Sequence, residues 1–570
     1  MKSRRLFDLG LISGVLCIIV GLVIPSTAAV MWLRPAQPIT AELRQSLLVG
    51  ITIFKICLVL FGVIVIVLSK LPIWQPALEG LPSTPTPRHK YELPILAVIL
   101  VIALGLRLYA LNDGLWHDEI LTYVTYVRSM SLGEIASTYN SENQHFLYNL
   151  LARVACMVFG NSNWALRLPA ALFGVASIYA LYLFGRTVTS AREALLAAAL
   201  MTFAYHHVWF SQNARGYTGL LLWTLLSSWL LLRGLARKNT KDWLFYAITI
   251  ALGIYTHTTM LFVVIAHFII YLQALVQRRD AAWPQRWMGF ALGFCFAGFL
   301  TLLLHAVALP QVFTGIVETS TIPEWKNPLW TVLEIARGVS IGFMGLFFIL
   351  PALLVFGVGL WSYLRSKPIV VALLILPVAI CTVIVVGLGH HLWPRFFFFA
   401  MGFAVLVAVR GTFVIGTTIA SYSQFTRPRA VWAGIGLTTA MILVAALSAP
   451  FAYGPKQDYQ AALAFVEANR QPGDMVTVVG LATYTYENLY KTDWTEIDSV
   501  KALNTAREHG KRTWIVYTFP PEMESVYPDI MTTVDHEFVL QRQFSGTLNN
   551  GTLFVARSDL LPTQLSSTQP

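Results

Sequence analysis

Charge is what this sequence has least of. Only 12% of its 570 residues are Asp, Glu, Lys or Arg, against 56% that are hydrophobic. That excludes an ordinary soluble globular chain, in which about a quarter of residues are charged. Cysteine is scarce as well: Cys17, Cys57, Cys156, Cys295 and Cys381 stand singly in apolar stretches. With no C-x-x-C spacing and no histidine pattern beside them, they exclude a disulfide framework and a zinc site. Acidic residues are outnumbered 29 to 40 by basic ones, for a formal charge of +11. In a soluble protein that excess would point to nucleic acid. Here the cations fall in short loops between apolar runs, the pattern that orients a membrane protein. No internal repeat is visible.

What the chain has in abundance is apolar runs, several of them as long as the roughly 17–25 residues a bilayer-spanning helix requires. Spans are expected at 9–33, 47–69, 93–111, 165–185, 193–210, 216–233, 244–258, 259–277, 288–309, 336–362, 369–388, 396–416 and 431–449. Pro25–Ala29 has the small residues of a signal-peptidase site, but the length of the first run and the second run soon after favour a retained anchor. Basic loops at Lys70–Lys90, Arg186–Arg192, Arg233–Lys241, Arg278–Arg286, Arg365–Lys367 and Arg410–Arg429 are assigned to the cytoplasm. That assignment works only if His145–Phe159, apolar but short, is an amphipathic or re-entrant helix at the outer surface. About thirteen spans then begin inside and end outside.

The fold class expected is an all-α polytopic membrane protein with a small C-terminal extracytoplasmic α/β domain. Residues 1–92 hold two leading helices and a proline-rich linker, and 93–450 the main membrane module, with juxtamembrane helices over about 112–164. Residues 451–560 form the soluble domain, and 561–570 a disordered tail. In that domain Tyr459–Arg470 has helical spacing. Met475–Val479, Thr513–Tyr517, Phe538–Phe544 and Thr552–Ala556 read as strands.

The unusual polar residues collect on one side of this topology. Trp116-His117-Asp118-Glu119 places two adjacent acids just past an apolar run, where carboxylates are costly to desolvate. Glu142, Asn143, Gln144 and His145 open the surface helix. Asn213, Arg215, Tyr217 and His257 follow, then Glu318, Glu324 and Lys326, and finally His390, His391 and Arg395. Each has a bland explanation, helix capping for the acids and snorkelling for the arginines. Together, acids and separated cations at one depth suit an anionic substrate and an acid–base step.

The same residues resemble the polytopic GT-C glycosyltransferases that use polyprenyl-phosphate sugars, among them protein O-mannosyltransferases (glycosyltransferase family 39) and lipid A aminoarabinose transferases. The likeness lies in Asp118-Glu119, in 142–148 (similar to the family's His-Pro-Pro-Leu-Tyr segment, though without its prolines), in 165–170, in 211–217, in Tyr255-Thr256-His257 and in Trp393-Pro394-Arg395-Phe396. It implies a GT-C-type fold over roughly 93–415 and inverting transfer of a sugar to an acceptor hydroxyl or amine. Asp118 would be the catalytic base, with Glu119 orienting its neighbours or contacting the acceptor. Arg215, Arg395 and His257 would bind the donor phosphate. Trp116, His145, Tyr148, Asn213, Tyr217 and His391 would line the substrate site. The implied partners are a polyprenyl-phosphate-linked sugar, a glycan, lipid or protein acceptor and the bilayer, with no nucleic acid. Some relatives hold a divalent metal near the acids; no cofactor is called for by the residues here, and a metal is left open. The expected location is a bacterial inner membrane, with the active site and C-terminal domain outside. Two other readings compete: a transporter or flippase for lipid-linked sugars, which would carry acids inside its spans and matched halves, and a noncatalytic envelope scaffold.

Overall fold

The computed structural model describes residues 2–35, 39–70, 89–141, 143–237, 240–277, 287–314, 327–342, 345, 349–422 and 427–559. Glu142, Glu318, Glu324, Lys326, the Arg278–Arg286 loop, most of the Lys70–Glu92 linker and the tail from 561 lie outside these residues.

Apolar sequence becomes helix here because a backbone in hydrocarbon must satisfy its own hydrogen bonds. Eight of the described helices are long and apolar enough to cross a membrane, or up to ten if each of two bent pairs is one span. The expected thirteen are not reached by length and composition, for identifiable reasons. The run 9–33 is two helices, Lys2–Val23 and Ser26–Leu33, at 99° to each other. Pro25, extended at φ −63° and ψ 136°, stands at the break, as expected where proline bars helical geometry to the residue before it. The run 336–362 is divided between helices Pro328–Gly342 and Ile349–Ser366. Glu92–Leu108 and Thr240–Thr256 have only 17 residues each.

The run 193–210 also breaks, into Ala191–Phe203 and Tyr205–Ser211 bent by 62°. Arg107, wholly buried, donates from Nη1 to the Thr202 carbonyl (3.2 Å) and lies 2.6 Å from His207 Nδ1, while His207 Nε2 is 2.9 Å from Ser177 Oγ. A guanidinium thus caps the carbonyls exposed by the break, and the chain turns back toward 211–217.

Ion pairs sort the two ends of the bundle. Glu92 pairs with Arg186 (2.7 Å), Arg233 with Asp242 (2.9 Å) and Glu193 with Arg410 (3.4 Å). Each pair joins helices whose opposite ends lead to Asp118, Arg167, Asn213–Arg215, His257 or Arg395. The acids therefore lie at an end of the bundle, not inside it. Phe146–Phe159, with 14 residues, buries Tyr148, Asn149, Ala152 and Cys156 and exposes Leu151, Val154, Met157 and Val158. This is the one-sided apolar stripe of a helix lying in an interface.

From Tyr459 onward a mixed sheet forms: β1 Met475–Val478, β2 Thr495–Glu496, β3 Thr513–Thr518, β4 Val539–Phe544 and β5 Leu553–Ser558, in the order β2-β1-β3-β5-β4. β1 runs parallel to β2 and β3; β5 is antiparallel to β3 and β4. β3 is buried along its whole length, the reason its uninterrupted apolar run reads as a central strand.

Helices Ile349–Ser366 and Met401–Tyr422 cross on two reciprocal glycines. A Cβ on Gly359 would strike the Val407 carbonyl, and one on Gly411 the Val355 carbonyl. Small residues at such a crossing let backbones meet where no hydrophobic effect drives association. Gly411→Leu is expected to lower stability by roughly 1–3 kcal/mol. Size-exclusion of heated, detergent-solubilised protein should show it, with Gly436→Leu, which meets nothing within 4 Å, as the unaffected control.

Candidate active site

Arg167, in the first turns of helix Asn163–Val188, organises the site. Its guanidinium donates to the carbonyls of Leu111 (3.1 Å), Asp113 (2.8 Å) and Gly114 (2.8 Å), and grips Glu119 with two charge-assisted bonds, Nε–Oε1 2.7 Å and Nη2–Oε2 2.6 Å. Glu119 Oε1 also accepts from the Ala214 amide (2.6 Å), and Oε2 from the Trp116 amide (3.3 Å). Burial would raise this carboxyl, but Arg167 first, then Lys456, outweigh it and hold it below its ordinary value. Glu119 is fully buried and its oxygens are committed to neighbours. Through these bonds it ties together Arg167 and the backbone at Trp116 and Ala214.

Asp118 is one residue earlier, in the short helix His117–Leu121, and its side chain keeps 11% of its surface accessible. Arg395 Nη1 donates to Oδ2 at 3.0 Å, and Arg215 Nη2 stands 3.9 Å from the same oxygen. Burial acts to raise the Asp118 carboxyl; Arg395, then Arg215 and His117, hold it below the usual carboxylate value. Arg215 is 2% exposed and gives Nη2 to Asn143 Oδ1 at 2.7 Å, while its Nε and Nη1 are buried with no protein partner. Gly216 lets this strand of chain approach closely, since a Cβ there would come 2.7 Å from His145 Nδ1 and from the Thr256 carbonyl. Arg395 follows Pro394 in the tight turn Pro394–Ala400 and lies 4.8 Å over the Trp393 ring.

The other expected residues divide. Trp116 Nε1 donates to Asn213 Oδ1 at 3.2 Å, and Asn213 Nδ2 is buried without a partner. His145, Tyr217 and His257 form one ring cluster, with centroids 4.5, 4.9 and 5.8 Å apart. Burial, then Arg215 and Arg395, push His257 down to about 3, so it is a neutral imidazole. Thr259 N and Oγ1 face its Nδ1 at 3.3 and 2.9 Å, leaving Nε2 as the protonated nitrogen. What it presents is a neutral N–H donor rather than the charge of a cation.

Tyr148 differs from its expected place. Its hydroxyl is spent on the Leu166 carbonyl (2.6 Å) and its ring packs among Leu115, Ile120 and Leu166, so it supports the loop from behind. His391 is partly exposed and packs on Trp393 at 5.4 Å.

Three residues near the acids escaped the sequence reading. Arg167 stands in the family-like segment 165–170, but no role was assigned to it. Lys456, which gives Nζ to the Gln212 carbonyl (2.8 Å), is pushed by burial to about 7. Gln457 Oε1 accepts from the His117 amide (3.0 Å), tying the C-terminal domain to the acidic helix. The last two lie in the tail, where no motif spacing marks them.

The donor set does not suit a divalent cation. Asp118 is flanked by two guanidinium groups and Glu119 is taken by Arg167, whereas hard cations gather several free oxygens. Among the described residues no group of three His, Cys, Asp or Glu side chains has a metal-holding arrangement. The arrangement suits an anion at Arg215 and Arg395 with a carboxylate beside it.

Residues 143–305 match the family described as dolichyl-phosphate-mannose-protein mannosyltransferase. The match includes Asn213–Tyr217 and His257 but stops short of Asp118 and Arg395. No curated protein sequence matches the chain. Among solved structures, ArnT from Cupriavidus metallidurans bound to undecaprenyl phosphate is similar over 82% of this chain and 98% of its own, at 13% identity and TM-score 0.42. The Archaeoglobus fulgidus oligosaccharyltransferase tethered to an acceptor peptide is similar over 80% and 73%, at 14% and 0.42. Arabinosyltransferase EmbB from Mycobacterium smegmatis is similar over 76% and 46%, at 13% and 0.39. Likenesses this loose carry no argument about this chain.

Glu119→Gln breaks a buried ion pair while leaving Arg167 charged, so it is expected to destabilise the protein by about 3–5 kcal/mol. Because the folded-state pKa of Glu119 is depressed, the pair's contribution is present above the ordinary carboxylate value and lost as pH falls through the lower folded one. Thermal-shift curves of wild type and Glu119→Gln should accordingly converge at acidic pH and separate toward neutrality.

Proposed function

We propose that the chain is a membrane glycosyltransferase that takes a sugar from a polyprenyl-phosphate donor and passes it to an acceptor hydroxyl on the extracytoplasmic side. The observation that carries this reading is Arg215. A buried guanidinium with Nε and Nη1 unpartnered, 3.9 Å from a carboxylate, is costly unless a ligand completes it. An anionic phosphate does so in bidentate fashion. The family match over 143–305 supports the same donor class.

The acceptor oxygen attacks the anomeric carbon as the carbon–oxygen bond to phosphate breaks. The acceptor proton goes to Asp118, and polyprenyl phosphate leaves with the bonding pair. Attack opposite the leaving group inverts the anomeric centre. Arg215 and Arg395 meet the charge developing on the phosphate, and neutral His257 adds an N–H. Apolar helix surface beside the site holds the prenyl chain. The same arginines that lower the Asp118 pKa make it a poor base in the empty site. A bound phosphate offsets their field, so Asp118 gains basicity when the donor is in place. The positive-inside rule supports an outward-facing site.

In proteoliposomes offered a panel of radiolabelled polyprenyl-phosphate sugars, Asp118→Asn is expected to fold and to lose about 10²–10⁴-fold in transfer. Arg215→Ala should chiefly raise the KM for donor. Wild-type rates in the asparagine variant would remove the proposed base. Single cysteines at 114 and 391 should both react with an impermeant maleimide from outside; reaction from opposite sides would defeat the shared compartment.

A further inference from the structure

The segment that carries Asp118 is gripped along its length from outside the bundle. Helix His117–Leu121 continues into a widened π-helical turn, Thr122–Arg128, a rare form of helix found mostly at functional sites. The start, middle and end of this segment each meet the C-terminal domain. Gln457 Oε1 accepts from the His117 amide (3.0 Å), Tyr484 OH lies 2.9 Å from Thr125 Oγ1, and Arg128 Nη2 donates to the Asn488 carbonyl (3.1 Å). Tyr484 and Asn488 come from a matching pair on the domain, helix Leu481–Thr485 and its own π-helical turn Tyr486–Tyr490. Apolar packing runs through the joint: Leu115, Ile120 and Val127 share one buried cluster with Tyr459, Ala482 and Tyr486.

The chain leading to Arg215 is held by the same domain. Lys456 Nζ donates to the Gln212 carbonyl (2.8 Å) and stands 5.0 Å over the Trp209 ring, while Trp209 Nε1 donates to Thr547 Oγ1 (2.9 Å). Thr547 lies in the loop between β4 and β5. The amides of Thr547 and Leu548 bond to the carbonyls of Pro455 and Lys456 at 2.8 and 3.2 Å. Gly546 comes so close that a Cβ there would strike the Lys456 carbonyl. Residues 455–457 and the β4–β5 loop are therefore one block, touching the acidic segment on one side and 209–212 on the other.

We infer that the C-terminal domain is a positioning device for the reaction. Through Gln457 and Tyr484 on one side, and Lys456 and Thr547 on the other, it fixes where Asp118 stands relative to Arg215. Helix His117–Leu121 has only five residues, too few to hold its own geometry in isolation, so its place is set by what grips it. Glu119 ties the two loops together from within the bundle, and the domain ties them from outside. These four residues act through others and are positioning residues, not catalytic ones. The inference rests on the glycosyltransferase reading above, because the quantity being fixed is the separation of base and phosphate.

Two measurements on the full chain in nanodiscs test it. Gln457→Met and Thr547→Val each remove a hydrogen-bonding group with little change of volume, and Thr547→Ser keeps the hydroxyl. Hydrogen–deuterium exchange, which needs no substrate, should quicken in 117–128 for Gln457→Met and in 205–212 for Thr547→Val, with the spanning helices unchanged. In transfer from the panel of polyprenyl-phosphate sugars, both variants should lose about tenfold in kcat with donor KM little changed, and Thr547→Ser should recover the rate. Burial raises the Asp118 carboxyl and Arg395, then Arg215 and His117, outweigh it. A looser hold therefore lets its pKa rise, and the acid limb of kcat/KM should move to higher pH. Exchange unchanged in both segments, or a lost rate with the acid limb unmoved, overturns the inference. Variants that match an active wild type defeat the inference alone. A wild type that transfers none of the sugars defeats the glycosyltransferase reading, and the inference with it.

Discussion

The bidentate pair between Glu119 and Arg167 is the constraint on which the site depends. Glu119 is bonded through one oxygen to the amide of Ala214, next to Arg215, and is itself next to Asp118. One buried carboxylate therefore sets the distance between the proposed base and the proposed phosphate ligand. Arg167 meanwhile fixes the turn 111–114 that leads into the acidic helix. Such a pair contributes little net stability, because desolvation offsets the attraction. What it contributes is position, which matters where a misplacement of about 1 Å can cost a hundredfold in rate.

The bundle delivers its polar residues to that pair from one end. Ion pairs such as Glu92–Arg186 and Arg233–Asp242 hold the opposite end, so helices of alternating direction bring 118, 213–215, 257 and 395 together. Bends do part of this work. The break at 203–205, capped by Arg107, turns the chain back toward 211–217, and helix 146–159 lies at the same end of the bundle. The C-terminal sheet is joined to this end through Lys456 and Gln457, one reaching the Gln212 carbonyl and the other the His117 amide. An acid here is surrounded by cations it must share, and its basicity depends on what else they hold.

Much of this was legible in the sequence. Unpaired acids after an apolar run, arginines at other run ends and the shift to strand patterning after 451 are local signals, and each matches a structural element. The bends in 9–33 and 193–210 were less legible, because hydropathy measures composition and a bend needs only one proline or a few residues. The family resemblance gave the adjacent acids different roles, but their surroundings were not legible. Only the fold reveals that Glu119 is enclosed by Arg167 while Asp118 stays accessible. Tyr148 resembled a stacking platform until its hydroxyl was found on a backbone carbonyl. Gln457 and Tyr484 carry no motif, since their relation to the acidic segment spans more than 300 residues and exists only after folding.

The central claim is that the unpartnered donors of Arg215 receive a lipid-linked phosphate beside Asp118. A cryo-electron microscopy structure of the protein in nanodiscs with a polyprenyl phosphate tests it most directly. The account predicts phosphate density in contact with Arg215 Nε and Nη1 and with Arg395, the prenyl chain running along apolar helix surface, and Asp118 facing the same cavity. Phosphate bound elsewhere, with Arg215 still enclosed and Asp118 turned away from it, would contradict it.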